Sequence, residues 1–220
     1  MFKIYPMRKL IVLVFVCLSF VSLGQKSFSK GSIVIDLNAN LGIYNTVAQD
    51  SVGRAEGTKE TDKAVPYAFA LGFEYGVLDF LSVGIKGQLS TYLQGSDSTG
   101  KPRPTVKGSD IVLVVNSHLV RTKRFDLVFG GNFGYSNLKF KSNDANGSMA
   151  KGGGVAYDIH LTPRLYFSKN FGMFSSLAYA GVSYKKLKFS DNVRKYTETV
   201  SLKGSGVNCA LGFQVTFGGE

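Results

Sequence analysis

The sequence predicts an all-β chain: an eight-stranded, antiparallel, up-and-down transmembrane β-barrel behind a signal peptide. Three observations carry that expectation. Eight stretches alternate apolar and polar residues. Each runs for about 11 to 14 residues, roughly twice the ordinary soluble strand. The segments between them alternate long and short. A period of two means an extended strand, because successive side chains point to opposite faces. A strand tilted by about 40° needs on the order of 10 residues to cross the apolar band of an outer membrane.

The first 24 residues are expected to lie outside the fold. They open with Lys3, Arg8 and Lys9, continue with an apolar run from Leu10 to about Val21, and close on Ser22-Leu23-Gly24. Basic start, short apolar core and small residues before the cut make a secretory signal peptide; the run is short for a stable span. Val16 before Cys17 argues against a lipoprotein signal. Residues 25–220 then form the barrel domain, and cleavage takes the net charge from +11 to +8. In an exported chain that excess points to anionic lipid or lipopolysaccharide phosphate, with no nucleic acid expected. Cys209 is left as the only cysteine, so no intramolecular disulfide can staple the domain.

The strands follow in order. "SIVIDLNANLGIY" sets Ile33, Ile35, Leu37, Ala39, Leu41 and Ile43 against Asp36, Asn38, Asn40 and Gly42. "PYAFALGFEYGV" sets Tyr67, Phe69, Leu71, Phe73, Tyr75 and Val77 against Ala68, Ala70, Gly72, Glu74 and Gly76. "LSVGIKGQLSTYL" puts Leu81, Val83, Ile85, Leu89 and Leu93 opposite Ser82, Gly84, Lys86, Gln88 and Ser90. The fourth, near residues 109–120, is less clean, since Val112 and Val114 join the phase of Asp110, Asn116 and His118. The fifth opposes Phe125, Leu127, Phe129, Phe133 and Tyr135 to Asp126, Gly130, Asn132, Gly134 and Ser136. The sixth opposes Val155, Tyr157, Ile159, Leu161, Leu165 and Phe167 to Ala156, Asp158, His160, Thr162 and Arg164. The seventh, 171–184, has no clear phase. "VNCALGFQVTF" opposes Val207, Cys209, Leu211, Phe213, Val215 and Phe217 to Asn208, Ala210, Gly212, Gln214 and Thr216.

Between these runs, residues 46–65, 94–108, "KSNDANGSMAKGG" and "KKLKFSDNVRKYTETVSLK" are expected as long loops. "VLDF", "RTKR" and "SKN" are expected as short turns. Long outer loops and short periplasmic turns are what an outer-membrane barrel shows. With the N-terminus in the periplasm, all four long loops fall outside.

Two features decide which face meets water. The polar phase is mostly Gly, Ala, Ser and Asn with isolated charges, whereas a soluble surface carries many Lys, Glu, Arg and Asp. Small residues suit the crowded interior of an eight-stranded barrel. The apolar phase is bulky and aromatic, with rings toward strand ends, as at a lipid boundary. A soluble lipocalin-like barrel usually carries a tryptophan near its first strand, and this chain has none.

With its signal peptide, eight amphipathic strands, glycine-rich inner phase and final strand ending on Phe217, the chain resembles the small outer-membrane barrels of the OmpA/OmpX type. The Ser22-Leu23-Gly24 cleavage site before Gln25 and the lack of a periplasmic extension resemble the PorT-like small barrels of Bacteroidetes. The resemblance implies a location in the cell outer membrane, among lipid and lipopolysaccharide, with a protein partner possible at the extracellular loops. Such barrels commonly finish on an aromatic residue; here Gly218-Gly219-Glu220 follow Phe217.

The candidate residues fall into two sets. Asp36, Glu74, Lys86, Asp110, His118, Asp158, His160 and Arg164 share the inner phase. Charges inside a narrow barrel are costly unless paired, so they are expected to form a polar plug, with a gated thin channel as the other reading. Lys185, Lys186, Lys188, Arg194, Lys195 and Lys203 form a basic loop suited to phosphate or another anionic partner, or simply a solvated loop. A catalytic histidine would suit a lipid A acyl hydrolase or transferase, but Ser117 and His118, as strand neighbours, point to opposite faces. Asn146-Gly147-Ser148 matches a sequon and more simply makes a turn. No metal-ligand spacing, phosphate loop or cofactor motif is found. The expected function is a structural, surface-interaction or envelope-accessory barrel. The alternative is a narrow channel for small or apolar solutes of the OmpW type, with an enzyme third.

Overall fold

A computed structural model describes residues 27–52, 55–93, 105–141, 149–190 and 199–218. The expected signal peptide, the sequon, Arg194 and Lys195 lie outside the described residues. Eight strands follow one another as β1 (Ile33–Val52), β2 (Ala55–Leu78), β3 (Leu81–Leu93), β4 (Thr105–Arg121), β5 (Phe125–Lys141), β6 (Met149–Tyr166), β7 (Phe171–Ser190) and β8 (Thr199–Phe217). Each pairs antiparallel with its sequence neighbours. β8 returns to β1 along a register from Ile33↔Phe217 to Ser51↔Thr199, closing the barrel. Closure leaves no edge strand, which is the condition for a sheet to sit in lipid.

The expected alternation is observed with the apolar side outward. Leu37, Phe73 and Phe213 are 60 %, 44 % and 56 % exposed, whereas Asp36, Asn38, Glu74 and Gln214 are buried. The belt runs from Ile35 to Ile43 on β1, Tyr67 to Tyr75 on β2 and Val207 to Phe217 on β8. About five outward residues per strand, at about 3.3 Å rise and 40° tilt, span on the order of 25 Å. So large an exposed apolar surface has no place in water; the belt faces lipid.

The strands are longer than the sequence suggests. β1 reaches Val52 and β2 starts at Ala55, with Val52 paired to Ala55, so most of the expected 46–65 loop is a hairpin. Lys185, Lys186 and Lys188 likewise belong to β7, and Lys203 to β8. Residues 59–63 of β2 are exposed on both faces, so pairing continues there without an apolar alternation to read. β7 takes a definite phase: Phe174, Ser176, Ala178 and Ala180 turn inward, and Leu177 and Tyr179 face lipid. Its phase is obscured because Phe174 and Tyr184 are bulky residues on the inner side.

Candidate functional site

The lumen is held by hydrogen-bonded side chains from all the early strands. Near the short-turn end, five residues from five strands form one chain. His118 Nδ1 lies 2.7 Å from Asp126 Oδ2, and its Nε2 lies 3.3 Å from Ser82 Oγ. Ser82 Oγ donates to Glu74 Oε2 at 2.9 Å, and Arg164 Nη2 donates to Glu74 Oε1 at 2.7 Å. Period two explains the convergence: each residue occupies an inward position of its strand, and the registers Asp126↔Arg164 and Ser82↔Asn116 bring them level. The Glu74–Arg164 pair is almost wholly buried. A buried pair of this kind persists only with good geometry and further polar partners.

Farther along the lumen, Asp158 accepts from Asn132 Nδ2 at 2.7 Å and touches His160 Nδ1 at 2.8 Å. His160 Nε2 then reaches Asn116 Oδ1 at 3.0 Å. Gly130 makes room for that contact, since a Cβ there would fall on the Asn116 carbonyl and 2.8 Å from His160 Nε2. A third chain climbs the wall. Asn38 Nδ2 donates to Asp36, Asn40 Nδ2 to Asn38 and Gln88, and Gln88 Nε2 to Asp110. Ser136 Oγ donates to Asp110 Oδ1 and meets Tyr184 Oη.

Both ends of this polar core are occupied. At the floor, Phe28 is buried and stacks on the His118 ring, centroids 3.5 Å apart and planes within 9°. At the upper end, Val106, Leu138, Tyr184, Leu187 and Val200 form a buried apolar cluster. Between them lies a cavity of about 90 Å³ lined by polar and small side chains, enough for roughly half a dozen waters.

All eight expected interior residues therefore point into the lumen, but their pairing differs from a simple ion-pair plug. Arg164 holds the carboxylate of Glu74. Lys86 lines the cavity with Asp36, Asp110 and Asp158 yet makes no direct ion pair among the described residues. The partners that complete the networks are Asn, Gln, Ser and Tyr, which a search for charges passes over. The inner-phase pattern contained them; which of them touch depends on register and barrel shear.

Ser82, His118 and Asp126 have the order of a nucleophile, base and orienting acid. They are sealed: Ser82 and Asp126 are fully buried, Phe28 covers the imidazole, and the serine proton is committed to Glu74. A serine so committed is not primed to attack an acyl group. Among the described residues no cluster of three His, Cys, Asp or Glu could hold a metal ion.

No family model matches the chain, and no curated protein matches it in sequence. Solved structures do. The outer membrane protein OprG from Pseudomonas aeruginosa aligns over 87 % of this chain and 98 % of its own, at 12 % identity and a TM-score of 0.60. The fold is that of the outer-membrane β-barrels. AlkL, determined by solid-state NMR in DMPC bilayers, aligns over 89 % of this chain and 94 % of its own at 14 % identity and a TM-score of 0.54. The outer membrane protease OmpT from Escherichia coli aligns over 89 % of this chain and 100 % of its own at 12 % identity and a TM-score of 0.51. At such identities the shared property is the barrel itself.

Proposed function

We propose that the chain is a closed barrel of the cell outer membrane that works through its outer wall and extracellular loops, as a structural, surface-interaction or envelope-accessory protein. Membership of the PorT-like small barrels belongs to the same proposal, on the strength of the Ser22-Leu23-Gly24 site before Gln25. The observation that carries it is the occupied lumen. The Asp126–His118–Ser82–Glu74–Arg164 chain crosses it, Phe28 stops one end and the Tyr184 cluster the other. Eight strands leave an interior only wide enough for side chains. In planar bilayers the purified barrel is expected to hold a flat current baseline. Reproducible unitary openings would sink the closed-lumen reading.

A second reading, a narrow channel, is favoured by one feature: among the described residues Lys86 makes no direct ion pair, and it lines the cavity with Asp36, Asp110 and Asp158, among which it can exchange. In that case Lys86→Met would change the conductance or ion preference of those openings. An enzymatic role has the least support, because the serine–histidine–aspartate arrangement is sealed. Lipid A from cells carrying His118→Ala and His160→Ala is expected to keep its acylation pattern by mass spectrometry.

A further inference from the structure

The outer wall above the lipid belt carries a pattern that linear reading misses. Ile111, Tyr135 and Val155 lie directly opposite one another across β4, β5 and β6 and form the last apolar row of that wall. One outward step farther, Ser109, Asn137 and Gly153 form a neutral row. The next outward row is Lys107, Lys139, Lys151 and Lys188, each paired to the next across β4, β5, β6 and β7. All four are exposed, and none of their side chains forms an ion pair or hydrogen bond with another described residue. Among the described residues β4 to β8 carry no Asp or Glu on the outer wall here; Asp110, Asp126 and Asp158 turn inward.

Like charges set directly opposite one another destabilise a sheet. Four in one row are therefore an unfavourable arrangement in isolation and a favourable one against fixed anions. The depth identifies the anion. Four residues along a tilted strand carry the row roughly 10 Å beyond the last apolar residue. A bilayer's headgroup layer extends only about 5–8 Å past the hydrocarbon on each side, and lysine side chains snorkel back over that difference. We propose that Lys107, Lys139, Lys151 and Lys188 form a binding strip for the phosphate groups of a lipopolysaccharide-class lipid of the outer leaflet, held on the β4–β7 wall. Lys186 and Lys203 lie near it on β7 and β8 and add to the same field. The opposite wall shows no such row among the described residues: the outward Lys59 and Lys63 of β2 stand across from the neutral Gln49 and Asn45 of β1, not from further lysines. The proposal rests on the reading of the barrel as an outer-membrane protein and is independent of whether the lumen conducts.

The test uses the full barrel refolded in detergent and in nanodiscs, with bisphosphorylated lipid A as the probe and its dephosphorylated form as control. Native mass spectrometry counts retained lipid. Wild-type protein is expected to retain the bisphosphorylated lipid and release the dephosphorylated one. Retention should fall roughly fivefold for each lysine removed, from the contribution of one cation at an anionic surface. The variant Lys107→Gln/Lys139→Gln/Lys151→Gln/Lys188→Gln should lose it. Lys30→Gln/Lys59→Gln/Lys123→Gln/Lys169→Gln, which removes equal charge elsewhere, should keep it. The four Lys→Arg changes at the strip should restore retention, and heat-modifiability on gels reports that each variant folds. Equal retention by wild type and the strip variant, or by both lipids, would overturn the proposal. So would a strip that captures soluble heparin but not the lipid, which would make the ligand a polyanionic saccharide. A wild-type chain that folds but does not enter bilayers would remove the membrane reading as well, whereas lipid retention with ion conduction would remove only the closed lumen.

Discussion

Arg164 and Lys86 are both inward cations of the barrel, yet the lumen uses them differently. Arg164 is almost fully buried and bonded to Glu74, so Arg164→Met leaves a carboxylate with no cation in contact. Removing one partner of a buried pair costs about 3–5 kcal/mol. Lys86 is half-buried beside the cavity with no direct ion pair, so Lys86→Met is expected to cost much less. Urea titration of refolding in lipid vesicles, followed by heat-modifiability, measures both. Equal losses would mean that Lys86 holds a carboxylate after all. The same residue-level logic explains why the interior networks are only partly legible in the sequence. An Asp or Arg on the inner phase announces itself by charge, but Ser82, Asn116 and Gln88 gain their roles only from what stands across the barrel.

For a strand, the decisive quantity is which phase meets lipid. Leu71 on β2 and Leu211 on β8 are 58 % and 64 % exposed near the middle of the belt. Arg at either position should cost about 2–4 kcal/mol, the penalty of a cation near the bilayer midplane. A change near zero in equilibrium unfolding would place those positions in water. Cys209, flanked on the outward face by Val207 and Leu211, gives an independent check without new mutations in the barrel. A spin label there should relax with dissolved oxygen and be shielded from a water-soluble nickel chelate; the reverse would contradict a lipid-facing β8. Where the alternation was clean, as in β1, β2 and β8, sequence and structure agree on phase. Where inner positions carry bulky residues, as Phe174 and Tyr184 do in β7, the pattern blurs because an aromatic ring can pack inside as readily as it can face lipid.

Across the whole molecule, stability depends on closure, since β8 bonds to β1 as well as to β7. Deleting residues 207–217 removes its membrane half and exposes two unpaired edges in hydrocarbon, where each unsatisfied backbone group costs several kcal/mol. No heat-modifiable folded band is expected from that truncation. A folded band would mean that closure through β8 is dispensable. Sequence by itself determined the strand number and the inverted phase, because each is written locally as a period; it placed the first long connection at 46–65, where strand pairing in fact continues to Val52 and resumes at Ala55. It also supplied the inner residues as a set. Only the tertiary structure decided that Ser82, His118 and Asp126 meet beneath Phe28, that Arg164 rather than Lys86 holds Glu74, and that four distant lysines share one row. Those contacts follow from cross-strand register and barrel shear, which are set by all eight strands together and by no single stretch of the chain.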